Sequence, residues 1–257
     1  MRKKTGVPML KNEREQEILA VLGSAGYQTV SQLSRTLYIS ESTVRRILQT
    51  LEKKGQVRRS YGGAELLDDH THAPSFSARA YDHREEKRII AGKAAALVPD
   101  GSVVFLDQSS TAFYLAVELM KKPALTVMTN NVEILRLLTQ TDFTVFATGG
   151  QLSRSNRMCL VDAETERSFR GIYADLAFFS TKSLSDDGII SDCCREEIAV
   201  RNAMLENAAG KVFLCHSSKF GSRSAYRQCS LADVDFLISE NADAESYRAQ
   251  FPNLNIR

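Results

Sequence analysis

Along residues 14–64 apolar positions recur at helical spacing in three blocks and then switch to alternation. Ile18, Leu19, Val21 and Leu22 follow the charged start KNEREQE and predict a first helix, ended by the GSAG stretch at Gly23–Gly26. Thr29 is placed to cap a second helix whose Val30, Leu33 and Leu37 face inward. After the turn YIS, Ser40 is placed to cap a third, from about Glu41 to Lys54, with Thr43 where a capping box would carry Glu or Gln. Gly55 ends that helix, and QVRRSYGGA alternates towards a Gly-Gly turn, as a short β-wing does.

The third helix divides into two faces. Val44, Ile47, Leu48 and Leu51 form an apolar stripe, whereas Ser42, Arg45, Arg46 and Gln49 project together from the other side. Two short helices joined by a tight turn, the second presenting Ser, Arg and Gln, make a helix-turn-helix over about residues 27–50. Arginine can bond guanine O6 and N7 together in the major groove, and Thr29, Ser40 and Thr43 at helix starts suit phosphate oxygens. On the wing, Arg58 and Arg59, with the turn Tyr61, Gly62 and Gly63, are placed for the DNA backbone or a minor groove.

Charge supports that division of labour. The chain carries a net +2, but residues 1–64 hold +7 and the rest −5, so a basic head precedes an acidic body. No apolar run approaches the roughly 18–20 residues that cross a bilayer, and the basic N-terminus lacks a signal peptide's apolar core. A cytoplasmic protein is expected. Five cysteines, an odd number without a C-x-x-C pair, suggest reduced thiols; adjacent Cys193 and Cys194 leave redox or metal roles open.

The segment LSRTLYISESTVRRILQTLEKKGQVRRSYGGA resembles the N-terminal domain of the DeoR family of bacterial transcription regulators. The family pattern is Ser-x-x-Thr-[Ile/Val]-Arg-Arg-Asp-Leu followed by Arg-x-x-Gly-Gly-Ala. Ser40, Thr43, Val44, Arg45, Arg46, Leu48, Gly55, Arg59, Gly62, Gly63 and Ala64 match it, while Ile47 stands where the family has an acid. The head is therefore expected over residues 8–64.

Residues 65–84, polar and holding His70, His72 and His83, read as a linker that runs into a helix beginning HREEKRII. From residue 100 short β-branched runs alternate with helical ones. Strands are predicted at 101–107, 125–130, 143–150, 174–181, 211–217 and 234–240, with helices at 110–121, 131–140, 161–171 and 194–208. That alternation implies a Rossmann-like α/β domain, 85–242, with a mainly parallel sheet; residues 243–257 read as a tail. Ligands of such sheets bind beyond the C-terminal strand ends. Asp107, Gln108, Ser109, Ser110 and Thr111 end one strand and open a helix; Thr129, Asn130 and Asn131, then Gly149 and Gly150, and loops carrying Lys182 and Lys219 end others. Hydroxyls and free amides at a helix start suit an anion.

The DeoR resemblance extends over this body, whose family fold is shared with sugar-phosphate isomerases of the ribose-5-phosphate isomerase type. It implies a phosphorylated sugar effector, with Asp107 on sugar hydroxyls, Ser109–Thr111 on the phosphate, and Lys182 or Lys219 adding charge. Ser109 replaces the loop glycine, Asp162 stands where the family has Gly, and Arg201 where it commonly has Lys. The expected protein is a regulator of operator DNA, dimeric or tetrameric through its body, with no cofactor or metal. Two other readings are an isomerase-like enzyme with a helical appendage and a constitutive DNA binder with a vestigial pocket. Against the enzyme, Arg201 cannot serve as a titrating lysine.

Overall fold

Helix α1 (Lys11–Ala25) ends within the GSAG stretch, as expected, and Ile18, Leu19 and Leu22 anchor it in a packed core. The structure, a computed structural model, describes residues 11–25, 27–60, 62–66 and 76–257. The candidate contact Tyr61, the Arg58 side chain, His70 and His72 lie outside the described residues. Contacts divide the chain into two units, Met1–Asp69 and His70–Arg257.

In the first unit, strand β1 (Gln28–Thr29) leads into helix α2 (Val30–Leu37), then α3 (Glu41–Lys53). Thr29 Oγ1 accepts the Gln32 amide at 3.2 Å while the Gln32 carboxamide accepts the Thr29 amide at 2.8 Å, a complete capping box. Ser40 Oγ accepts the Thr43 amide at 3.3 Å to start α3. Val44, Ile47, Leu48 and Leu51 are all buried against Ile18, Leu22, Val30 and Leu33. Ile47 is thus a core residue, which an acid there could not be without a partner. The wing pairs β2 (Val57–Ser60) with β3 (Gly63–Leu66), and β1 adds a third strand that the sequence pattern does not announce. Gly63 is buried where a Cβ would lie 2.4 Å from the Gln28 carbonyl oxygen, so its role is close packing of β1 on β3.

The second unit begins earlier than the linker reading allows. Helix α4 (Phe76–Tyr81) packs Phe76 edge-on against Phe113, and Tyr114 Oη donates to the Ala80 carbonyl at 2.8 Å. Then follow α5 (Arg84–Ala95), β4 (Val103–Leu106), α6 (Ser110–Leu119), β5 (Thr126–Thr129), α7 (Val132–Leu138), β6 (Thr144–Ala147), β7 (Gln151–Leu152), β8 (Leu160–Val161), α8 (Ala163–Arg170) and β9 (Ala174–Phe179). The chain continues through β10 (Ser183–Leu184), β11 (Ile189–Asp192), α9 (Arg195–Glu206), β12 (Ala208–Leu214), β13 (Tyr226–Ser230), β14 (Phe236–Ile238) and β15 (Asn255–Ile256).

Seven strands form one parallel sheet in the order β15-β14-β12-β9-β4-β5-β6. All six strands expected from sequence lie in it. Alternation splits their side chains between two cores. Phe105, Phe179 and Phe213 face α8 and α9, whereas Val104, Leu106 and Phe178 face α5, α6 and α7. Residues 243–257 are not a loose tail: Tyr247 and Leu254 are buried, and β15 extends the sheet beside β14. Strands β10, β11 and β13 form a small antiparallel sheet, and β7 pairs with β8.

Three described non-glycine residues hold positive φ: Tyr38 at 51°, His83 at 49° and Asp162 at 116°. The left-handed conformations of Tyr38 and His83 cost about 1–2 kcal/mol, and that of Asp162, extended at positive φ, about 1–3 kcal/mol.

Candidate functional site

The outward face of α3 is as its spacing dictates. Ser42, Arg45, Arg46 and Gln49 are exposed. Arg45 Nη2 bonds Glu41 at 2.8 Å, whereas Arg46 forms no ion pair among the described residues. Ser40 sits at the start of α3 with its hydroxyl shared among Ser42, Thr43 and the Thr43 amide. The Thr29 hydroxyl is engaged by Gln32. Arg59 on the wing is exposed and bonds Glu52 at 3.2 Å, and Gly62 is exposed at a φ of 80°. One surface thus carries guanidinium and hydroxyl groups on a helix that a core of four buried residues holds rigid.

In the second unit the C-terminal ends of β12, β9, β4, β5 and β6 are adjacent, so the polar loops of the sequence do share one rim. At its centre is Asp107, 1% exposed. Its Oδ1 accepts the Ser109 amide at 3.0 Å; its Oδ2 accepts the Ser180 amide at 3.1 Å and Arg201 Nε at 3.2 Å. Arg201 also reaches Asp192 Oδ2 at 3.2 Å and Gln228 Oε1 at 2.7 Å. The residue that replaces a family lysine therefore uses its planar fork to join two buried carboxylates, which a single ammonium cannot span in the same way. Asp107 is a ligand of the fold before it is a ligand of anything else.

Ser109 Oγ caps α6 by accepting the Ala112 amide at 3.0 Å, and Ser110 and Thr111 are buried in the same first turn. Gln108 donates to Glu197 at 3.0 Å and accepts Asn130 Nδ2 at 3.4 Å. Thr129 Oγ1 accepts the Asn131 amide at 3.1 Å. Asn130 Oδ1, Asn131 Nδ2 and Thr148 Oγ1 are buried with no hydrogen-bond partner among the described residues. Three such atoms at the ends of β5 and β6 are the groups that a polyhydroxylated ligand would satisfy.

The β12 side of the rim is cationic. Lys219 Nζ donates to Ser180 Oγ at 2.7 Å. Lys87, 3% exposed, donates to the backbone carbonyls of Asp82, at 2.5 Å, and Arg79. Burial, with the Lys219 charge beside it, holds the Lys87 ammonium down to about 7. Burial lowers Lys219 as well. His216, stacked on His83 with centroids 4.7 Å apart, is pushed down to about 2 by burial and by both lysines, so it is neutral. Among the described residues neither lysine forms an ion pair. Lys182, by contrast, is exposed and joins no bond of this cluster.

Lys87, Arg79, His216, Ser180 and Thr148 were absent from the expected site. A signal for Lys87 existed: it occupies the stripe Lys87, Ile90, Ala91, Ala94 of α5, where a charge among apolar residues is unexpected for a solvated face. Burial raises the thiols of Cys193 to about 12 and Cys194 to about 11, the reverse of a reactive pair. No group of three His, Cys, Asp or Glu among the described residues is arranged to hold a metal ion.

Gly149 and Gly150 end β6 under α8. A Cβ on Gly150 would lie 2.1 Å from Thr165 Oγ1 and 2.8 Å from Asp162 Oδ1. Asp162 itself sits in a backbone region that suits glycine, with φ 116° and ψ −177°. Its carboxylate accepts the amides of Glu164 at 2.9 Å, Thr165 at 3.2 Å and Gln151 at 3.1 Å, capping α8 and tying down β7. Asp162→Ala should lose about 1–2 kcal/mol from the cap alone and keep the strain, whereas Asp162→Gly loses the same bonds but relieves the backbone. Thermal melts should rank the parent above Gly, and Gly above Ala; an alanine variant as stable as glycine would mean that the backbone there is unstrained.

Family models match both units: a DeoR-like helix-turn-helix domain over residues 14–70 and a DeoR C-terminal sensor domain over residues 82–241. The uncharacterized HTH-type transcriptional regulator YgbI of Escherichia coli strain K12 is 31% identical over 93% of this chain and 93% of its own. The HTH-type transcriptional repressor GlcR of Bacillus subtilis strain 168 is 30% identical over 93% of this chain and 92% of its own. The glycerol-3-phosphate regulon repressor of Escherichia coli strain K12 is 26% identical over 90% and 92%. With an exposed arginine-bearing recognition helix joined to an α/β unit of this rim, the chain belongs to the DeoR family of helix-turn-helix transcription regulators.

Proposed function

We propose that this regulator is a repressor of sugar-metabolism genes whose hold on operator DNA is set by a phosphorylated sugar bound on the rim of the sensor unit. The observation that carries this reading is the pair of lysines, buried Lys87 and half-buried Lys219, that form no ion pair among the described residues, with Lys219 held by Ser180 next to Asp107. Burying an uncompensated cation is unfavourable, and an anion relieves it. The unpartnered atoms of Asn130, Asn131 and Thr148 add a neutral, hydroxyl-matching side to the same rim. Turnover is not expected. The candidate base Asp107 has both oxygens occupied by amides and by Arg201.

Coupling follows from the same geometry. Lys87 holds the carbonyls of Arg79 and Asp82 at the α4–α5 corner, directly after residues 67–75, which join the units in sequence. A phosphate that draws the ammonium away from those carbonyls changes the corner, and only such a difference between states can shift DNA affinity. A homodimer assembled through the sensor unit would let two recognition helices read two half-sites; a monomer by sedimentation that still binds one operator tightly would refute that arrangement.

The test is fluorescence anisotropy of the full chain on the duplex upstream of its own gene, against a scrambled duplex, with phosphorylated sugars titrated in. Specific binding altered by one phosphorylated sugar, and not by its unphosphorylated form, is expected. Specific binding indifferent to all of them would favour a constitutive regulator. Effector affinity should also fall as pH rises from 7 to 9. In the free protein Lys87 loses its proton around 7, and a bound anion raises that value, so binding takes up a proton above it. The phosphate is already dianionic there; calorimetry should show up to about a tenfold loss per pH unit.

A further inference from the structure

Of the three described non-glycine residues at positive φ, two have visible compensation. Asp162 receives three backbone amides, and the His83 ring stacks on His216. Tyr38 has none. Its φ is 51° and its ψ 42°, its side chain is 94% exposed, and among the described residues its phenol makes no hydrogen bond and its ring no aromatic contact. A bulky residue at positive φ is an outlier. Glycine or asparagine would end α2 there without strain. Nothing among the described residues of the unit explains why tyrosine stands at this position, and such residues gather at functional sites.

Its place is specific. The Tyr38 amide donates to the Ser34 carbonyl and closes α2, and the residue precedes Ser40, the cap of the recognition helix, by two positions. It therefore belongs to the turn of the helix-turn-helix, at the end of α3 whose free amides and exposed hydroxyls favour phosphate. Ser40 and Ser42 are exposed at that same end. A rigid phenol with two rotatable bonds reaches outward from a backbone that the α2 cap fixes.

We propose that Tyr38 is a DNA-positioning residue: its phenol donates a hydrogen bond to a phosphate oxygen at the edge of the groove entered by α3, setting the register in which Arg45 and Arg46 meet bases. Because the phenol is neutral, it orients the helix without releasing a counterion. The residue carries no base preference of its own.

The experiment uses the full chain and the duplex it best retains from a randomised pool. Three proteins are compared: parent, Tyr38→Gly and Tyr38→Phe. Tyr38→Gly is expected to raise the melting temperature of the first unit by a few degrees, yet weaken duplex binding about tenfold with an unchanged salt slope. Tyr38→Phe keeps the backbone and the melting temperature but loses most of the same affinity. Loss of preference in a repeat selection at a base pair that neither Arg45→Ala nor Arg46→Ala relaxes would overturn the assignment to phosphate. Undiminished binding by Tyr38→Gly would overturn the proposal altogether, as would full binding by Tyr38→Phe. Arg46→Ala serves as the control: if it too binds as the parent does, the fault lies with α3 as the DNA-reading helix rather than with Tyr38.

Discussion

Arg201→Ala is expected to destabilise the sensor unit by about 3–5 kcal/mol. The side chain is 1% exposed and stands between Asp107 and Asp192, both at 3.2 Å, with Gln228 at 2.7 Å. Burial works against its charge, but Asp192 and Asp107 outweigh that and raise its pKa. Alanine would leave two carboxylates facing one another in a dry site, each with an unmet demand for a cation. For a unit of this size the loss corresponds to a fall in melting temperature of about 6–20 °C. Arg201→Lys retains the charge but not the fork, and should lie between the two. A melting temperature within 2 °C of the parent's would show that the pair contributes nothing net.

The same geometry changes how Asp107 is tested. Sequence places it on a sugar hydroxyl, by resemblance, and its position at the end of β4 agrees with a ligand site. Its oxygens are nevertheless committed to Ser109, Ser180 and Arg201. Asp107→Ala would remove a structural acceptor, and loss of effector response in that variant would not distinguish recognition from collapse. Lys87→Met is the cleaner probe of the rim, because it fills a buried position in an apolar stripe and removes the charge with its two bonds to the Arg79 and Asp82 carbonyls, leaving the Asp107–Arg201 network in place.

What the sequence made readable was whatever repeats within a few residues. The stripes of α3, the caps Thr29 and Ser40, and six strands at helix-separated intervals each announce themselves through local spacing. What it hid depends on residues far apart. Arg201 meets Asp107 across 94 positions and Lys219 meets Ser180 across 39. Strand β15 has two residues, too few to alternate, and exists because β14 offers an open edge. Helix α4 has six and depends on Phe113 and Tyr114 for its position. The strain at Tyr38 and Asp162 is also invisible in a linear pattern. Departures from the family pattern still pointed to the right places: Ile47 went to the core, Asp162 to a glycine-like backbone, and Arg201 to the carboxylate pair.

On the DNA side, the double variant R45A/R46A is expected to lose about 2–6 kcal/mol of preference for operator over scrambled duplex, roughly 30-fold to 10⁴-fold, since each bidentate arginine–guanine pair gives about 1–3. Folding should survive, because both positions are exposed and alanine favours a helix. The two arginines are not equivalent. Arg45 is held by Glu41 at 2.8 Å, an exposed pair worth only a few tenths of a kcal/mol, and must leave it to meet a base. Glu41→Gln should therefore strengthen binding slightly through Arg45, whereas no such effect is expected with R45A already in place. Arg58→Ala on the wing should act differently: weaker binding to operator and scrambled duplex alike, with a salt slope reduced by about one. Anisotropy titrations at several salt concentrations separate the cases. If the helix variants weaken all duplexes equally, then α3 grips the backbone and the reading of sequence lies elsewhere on the head.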